Sequence, residues 1–417
     1  MRAIKSVTQS YEPSQRIMDF MDIFTSIMND AIDVAIKENL TSEGSISSEI
    51  YPLVKDLPIP SYYIPPAITK ATAMVKNYRK SVRREEMKAK RKKIGGSKPK
   101  TEAKRKPRNI KVPHVDRRML ASHYGFRIKD DNIIIPASTE KYGREHETIG
   151  LNRHVSSVIR MDGIHARSFT LTPHMLSISI ERVPETIECD STAGIDRNLR
   201  NVTVGNELHQ ESYDLSGIVE IKRRYRNRAS HPMRNDRRIQ QKIREKYGRR
   251  ERNRTNAILH EKSKEIVDAC ISDREVPVLE DIRHINRMTY RGDGSGPDHR
   301  HLMHSAFPYG RLASMIKYKA EWEGLPVIQL TRQETYGTSS RCPECGSYTR
   351  KSGGMLYCES CAIWINRDIN ACISQAKRGR TRLVRSLLRE KGPPVEAVNQ
   401  LKDGEQMAGS HIPSTGS

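Results

Sequence analysis

The chain of 417 residues is about the length of two to four modules, since a typical domain takes roughly 100 to 200. Lys and Arg number 73 against 50 Asp and Glu, and a formal charge of +23 argues for a polyanionic partner, nucleic acid first, and against a small-molecule substrate. No apolar run approaches the roughly 20 residues of a membrane span, and the start, MRAIKSVTQSYEPSQ, lacks the apolar centre of a signal peptide; no membrane partner and a soluble, cytoplasmic, nucleoid-associated protein are expected.

After Pro13, Ser14 reads as a cap, and Ile17, Met21, Phe24, Met28, Ala31 and Ala35 recur at three- and four-residue steps, which predicts a long amphipathic helix. A second helix follows Pro65-Pro66, where Ile68, Ala71, Val75, Tyr78 and Val82 repeat the pattern and the prolines suit a first turn. It runs into a segment, 88–111, dense in Lys and Arg and broken by Gly95, Gly96 and two prolines, which reads as flexible. From about 109, short runs such as FRI, NIIIPA and SFTLTPHMLSISIERV, separated by Gly, Asn and Asp, predict a small β module. A strand pair near 192–214 leads into the arginine-rich stretch 223–254, where Pro232 interrupts helix before it resumes towards Ile271. A strand VPVLED, a glycine-rich loop RGDGSGPDH, a helix around 309–323 and a strand LPVIQL follow, and strands alternating with helices indicate a mixed α/β domain. Beyond about 380 the chain carries Gly-Pro-Pro and a polar end, and a loose tail is expected.

Of seven cysteines, Cys189, Cys270 and Cys372 stand alone and read as small buried hydrophobes. The other four form two C-x-x-C units, RCPECG (Cys342, Cys345) and YCESC (Cys358, Cys361), separated by twelve residues. Each unit turns both thiolates to one side, and two units complete a tetrahedral zinc site, whereas a redox motif needs a single C-x-x-C in a βαβ setting. With four cysteines on one Zn2+ no position is left for a reactive water, so this ion is structural.

Three acids stand at the ends of core-like elements: Asp196 closes TAGID, Glu280 closes VPVLE, and Asp368 in INRDINACISQA opens a helix whose inner face would hold Ile369, Cys372, Ile373 and Ala376. Singly, each reads as an ordinary cap or surface charge. Brought together, their repulsion requires a multivalent cation, and Mg2+ fits. Two such ions about 4 Å apart activate a water and steady the leaving oxygen of a phosphodiester.

The ordered set GIDRNLRNVTVG, VPVLEDIRHIN, TYGTSSRCPECG with YCESC, and NRDINACISQA resembles the TnpB (OrfB) family of insertion-sequence-encoded, RNA-guided DNA endonucleases, related to the type V CRISPR nucleases; EPSQ near the start resembles the family's opening motif. The resemblance implies Asp196, Glu280 and Asp368 as catalytic, Mg2+-binding acids of a RuvC-like nuclease, with Cys342, Cys345, Cys358 and Cys361 binding Zn2+. Guide RNA and double-stranded target DNA would be the partners, and cleavage would occur next to a short flanking motif.

The implied fold is multidomain α/β: an RNase H-like RuvC nuclease domain (187–336 with 365–379), an inserted zinc ribbon (337–364), an N-terminal helical recognition lobe (13–108), a small wedge-like β-barrel module (1–12 with 109–186) and a flexible tail (380–417). The basic segments 88–111 and 223–254 are the expected nucleic-acid contacts, holding a heteroduplex by its backbone. Arg197 and Asn198 depart from the small residue and glycine that many family members carry after the first acid. Other readings stay open: a transposase or strand-transfer accessory protein, a nuclease-inactive RNA-guided regulator, and a zinc-ribbon nucleic-acid protein without catalysis.

Overall fold

The computed structural model describes residues 2–94, 110–140, 143, 145–230, 236–282, 296–303 and 307–391. The chain divides into two compact units, one spanning Arg2–Val183 and the other running from Pro184 onward.

The first unit begins with β1 (Ala3–Ser10). Ser14 then adopts extended backbone, and its hydroxyl accepts from the Ile17 N–H at 3.3 Å. This cap contributes about 1 kcal/mol and starts α1 (Gln15–Lys37). Met21, Phe24, Ile27, Ala31 and Ala35 on one face are fully buried, and each of the larger ones contributes about 2 kcal/mol by leaving water. α2 (Glu43–Val54) starts on a second serine cap, Ser42, and packs with α1 and with α3 (Ile64–Ile94), which carries Pro65 and Pro66 in its first turn.

The rest of this unit is β2 (Leu120–Ser122), β3 (Arg127–Lys129), β4 (Asn132–Pro136), β5 (His146–Gly150), the short helix α4 (Arg153–Ile159), β6 (Ile164–Thr172) and β7 (Met175–Arg182). The strands make two antiparallel sheets, one in the order β1-β7-β6-β2 and one in the order β3-β4-β5. β1 pairs with β7 from Ala3↔Arg182 to Ser10↔Met175, so the first strand is closed into its sheet by one of the last. The buried Gln9 amide spans to the end of β5, donating to Gly150 O at 2.7 Å and accepting from Asn152 N–H at 2.8 Å.

The second unit is built on a five-stranded mixed sheet. β8 (Ser191–Arg197), β9 (Asn201–Gly205) and β10 (Gln210–Asp214) form an antiparallel meander. Two basic helices follow, α5 (Ser216–Ser230) and α6 (Arg237–Ser272), and then β11 (Glu275–Leu279). Pro232, expected to break the helix, lies outside the described residues between α5 and α6. β11 runs parallel to β8 in the register Glu275↔Ser191 to Leu279↔Ile195. All five residues of β11 are buried, as a strand covered on both faces requires.

Next come α7 (Pro297–His301), α8 (Tyr309–Glu323) and β12 (Ile328–Gln329), which is parallel to β11 and closes the sheet order β10-β9-β8-β11-β12. α9 (Arg332–Thr335) is followed by the cysteine segment with its small sheet of β13 (Arg350–Ser352), β14 (Met355–Cys358) and β15 (Ile363–Asn366), and then by α10 (Arg367–Lys391). One core joins Ile195, Val202, Leu259, Ile266, Leu279 and Leu312 beneath the sheet.

α10 lies flush on the sheet because two glycines permit it. A Cβ on Gly194 of β8 would stand 1.9 Å from the Cys372 carbonyl oxygen, and one on Gly379 of α10 would stand 2.3 Å from Val278. The Thr192 hydroxyl closes the contact by donating to Ala376 O at 2.8 Å.

The loose tail expected from 380 is corrected by the helix, which continues through Lys391. Gly379 spaces the helix from the strand instead of ending it, and the Arg, Leu, Lys and Glu residues that follow are good helix formers. Residues 392–417, most of the basic segment 88–111 (95–109) and residues 283–295, which take in the first part of the glycine-rich loop RGDGSGPDH, lie outside the described residues.

Candidate active site and cysteine centre

Asp196 stands one residue before the end of β8, and Glu280 follows the last residue of β11. The two strands are parallel neighbours, so both carboxyl groups leave the sheet at the same edge. Asp368 comes from the first turn of α10, packed along β8. Asp196 and Glu280 are each only 8% exposed. Burial first, then the charge of Glu280, with Asp368 adding, pushes the Asp196 carboxyl up to about 8. Burial likewise raises Glu280, against the pull of Arg197. Among the described residues the three acids do not gather their oxygens within 4.8 Å of one another, as the four cysteines do and as His209, Asp273 and Glu275 do.

Arg197 and Asn198, the departure noted in the sequence, are part of this site. The Arg197 backbone N–H donates to Glu280 Oε1 at 3.3 Å. Its buried guanidinium donates to Glu280 O at 2.7 Å and to Tyr309 O at 3.1 Å, with Nε 3.6 Å from Glu280 Oε1. Asn198 donates to Asp196 Oδ2 at 2.7 Å.

Two further groups were not read from the sequence. Gln375 donates to Asp196 Oδ1 at 3.5 Å while its own carbonyl accepts from Ile195 N–H at 3.1 Å, and Asn201 donates to Asp368 Oδ2 at 3.3 Å. Gln375 lies seven residues, about two helical turns, after Asp368, and that spacing is the signal that points to it. Beside Glu280 a cavity of about 560 Å³ is lined by Arg197, Glu280, Met303, Tyr309, Ser314 and Gln329.

In the cysteine centre, Cys342 Sγ and Cys361 Sγ are 3.9 Å apart and Cys345 Sγ and Cys358 Sγ 3.4 Å. Four thiolates at about 2.3 Å from one zinc ion lie about 3.8 Å from each other, so the donor set fits that ion. Gly346, with φ of 76°, allows the turn in which its N–H donates to Cys342 O at 3.0 Å. Hydrogen bonds from the Ser347 hydroxyl and N–H hold the Cys345 thiol down to about 6, ready as a thiolate. α10 braces this centre: the Asn370 amide donates to Thr338 O at 2.8 Å and Arg341 O at 3.0 Å, and Lys377 donates to Pro343 O at 2.8 Å.

The described residues of the basic segment 223–254 lie on α5 and α6, which pack antiparallel. Tyr225 packs on Tyr247 at 6.1 Å and carries Arg228 and Arg254 over its ring, while Arg223 and Arg226 both bond Asp298. Lys242, Arg244, Lys246, Arg249, Arg250 and Arg252 on α6 are exposed.

A family model described as the Cas12f1-like TNB domain matches residues 309–374. The TnpB-like protein MJ0751 of Methanocaldococcus jannaschii is 24% identical over 199 residues, covering 45% of this chain and 68% of that protein. Both matches point to similarity with TnpB-like proteins and, through the domain model, with the type V nucleases. In fold, the chain is similar to Cas12f1 as seen in a Cas12f1–sgRNA–target DNA complex, with 12% identity, a TM-score of 0.52, and 87% of this chain and 81% of that one covered. The match to the family model runs from α8 through the cysteine centre into α10. It therefore takes in the four cysteines and Asp368, with Asp196 and Glu280 upstream of it.

Proposed function

We propose that this TnpB-like chain is an RNA-guided, Mg2+-dependent DNA endonuclease associated with a transposon, cutting double-stranded DNA next to a short flanking motif. The observation that carries the reading is the approach of Asp196, Glu280 and Asp368 from β8, β11 and α10, with burial and then the charge of Glu280 holding the Asp196 carboxyl near 8. The sheet, an antiparallel meander joined to two parallel strands, is the arrangement expected of an RNase H-like RuvC domain. The resemblance in fold to Cas12f1, seen with sgRNA and target DNA, supports the same classes of partner here.

The three carboxylates would hold the cations: hard oxygen donors and excess negative charge suit Mg2+. When bound, such ions supply charge that activates water and steadies the leaving oxygen of a phosphodiester. Asn198 and Gln375 fix the two oxygens of Asp196, Asn201 turns Asp368, and Arg197 clamps the Glu280 backbone so that its carboxylate stays at the sheet edge. The Zn2+ of the Cys342, Cys345, Cys358 and Cys361 ribbon is structural in this reading. The exposed arginines and lysines of α6 offer charge to the nucleic-acid backbone. Residues 1–12 with 109–186 are read as the wedge-like module and 13–108 as the recognition lobe.

The test is cleavage of a guide-matched plasmid library with randomised flanks, using protein co-expressed with RNA from its own locus. Cutting that needs guide match, flank, Mg2+ and Asp196 is expected, with Asp196→Ala reducing the rate on the order of 10³-fold or more while nucleic-acid binding persists. Full cleavage by Asp196→Ala would remove that residue from the mechanism. One observation favours a second reading, a guided binder that does not cut: Glu280 already has the buried guanidinium of Arg197 as its counter-ion. Matched DNA held but uncut in Mg2+ is the outcome that selects it.

A further inference from the structure

We propose that His209, Asp273 and Glu275 form a second structural metal site, for zinc or another imidazole-binding divalent ion, at the sheet edge opposite the carboxylate cluster. Glu275 begins β11 and pairs in register with Ser191, the first residue of β8, whereas Asp196 and Glu280 stand at the far ends of the same strands. Five residues of strand put the two sites roughly 16 Å apart. β9 runs antiparallel to β8, so its turn into β10 brings His209 back to this edge. Asp273 arrives as the residue that caps the C-terminus of α6, where the carbonyl end of a long helix favours a cation.

The geometry is that of a ligand set. His209 Nε2 is 3.4 Å from Glu275 Oε2 and 3.7 Å from Asp273 Oδ2, and the three ligand atoms all lie within 4.8 Å of one another. Nitrogen and oxygen ligands at about 2.0 Å from a tetrahedral zinc ion stand about 3.3 Å apart. Imidazole with two carboxylates, and a fourth position open to water, selects zinc-like ions over Mg2+ or Ca2+.

The surroundings hold these ligands in place. Glu275 is only 4% exposed, and its Oε1 accepts from the Ser191 hydroxyl at 2.9 Å and from the Asn206 amide, which leaves Oε2 facing His209. The same Asn206, 1% exposed, accepts through Oδ1 from the Leu208 N–H at 2.8 Å and the His209 N–H at 3.4 Å. One buried amide thus orients two of the three ligands, the task that second-layer groups perform around metals. Gly205, at φ of 148°, admits the tight turn, since a Cβ there would stand 2.2 Å from the His209 carbonyl oxygen.

Equilibrium dialysis of the full chain against zinc alone, followed by counting metal per chain by mass spectrometry, tests the site. Two zinc ions are expected for the native chain, and one for His209→Ala and for Asp273→Asn, whose altered side chains are solvent-facing. Added zinc should raise the melting temperature of the native chain and leave both variants unmoved, with all three melting alike before zinc is added. A native chain that stops at one zinc, or variants that still take two, would overturn the proposal and leave a histidine shared between two carboxylates.

Discussion

Arg197 and Glu280 meet across neighbouring parallel strands by three routes: a backbone N–H to carboxylate bond at 3.3 Å, a guanidinium to carbonyl bond at 2.7 Å, and an ion pair at 3.6 Å. Both residues are buried, so removing one partner strands a charge in a low-dielectric site. Arg197→Met is expected to lower the stability of the metal-free protein by about 3 kcal/mol, the usual scale for a broken buried pair. Mg2+ should then restore more of the lost melting temperature than it adds to the native protein. A variant that melts like the native chain in EDTA would show that the pair does not carry the strand ends.

The pH dependence follows from Asp196. Its carboxyl is held up to about 8 in the fold, well above the range of an unfolded aspartate near 3.9. Between those limits the folded chain keeps a proton that the unfolded chain has released, so metal-free stability should fall as pH rises from about 4 to about 8. Asp196→Asn should flatten this slope, and so should saturating Mg2+ by stabilising the ionised form. Denaturant melts at several pH values in EDTA provide the check, and a native slope of opposite sign contradicts the assignment.

Cys342→Ser removes one of four sulfurs that stand at zinc-like spacing. The zinc held by this centre should be lost, and the melting temperature should fall with it, because a structural site contributes its binding energy to folding. Metal analysis of the purified variant reads this directly, and unchanged zinc content would sink the ribbon.

Gly194→Ala sets a Cβ 1.9 Å from the Cys372 carbonyl oxygen, a backbone atom that moves only with α10. The expected cost is about 2 to 3 kcal/mol of overpacking. Cleavage should fall as well, since the strand carries Asp196 and the helix carries Asp368, while zinc content stays as in the native chain. Native-like melting and cleavage would show that the helix shifts without consequence.

Local signals were the legible ones. Ser14 and the spacing from Ile17 to Ala35 mark α1 because a cap and an apolar stripe are written in adjacent residues. α2 was missed: its apolar positions Ile46, Ile50 and Val54 are few, and Gly44 and Pro52 suggest a loop. The strand expected at LPVIQL shrinks to Ile328–Gln329, because apolar content alone does not fix how far a pairing extends. At the site, residue type and position at strand ends were visible for Asp196 and Glu280. Their nearness depends on the parallel register of strands some eighty residues apart, which no local pattern carries. Arg197 appeared only as an oddity of the turn, since its partners, Glu280 and the Tyr309 carbonyl, are remote in sequence.

The cysteine segment and α10 are continuous: β15 ends at Asn366, the helix starts at Arg367, and Asn370 and Lys377 grip the loop that carries Cys342. Synthesis delivers Asp196 and Glu280 first, then the four cysteines, and Asp368 last. On the proposed reading, loss of zinc from the ribbon is therefore expected to be felt at the third acid as well, through the hydrogen bonds that tie α10 to the cysteine loop.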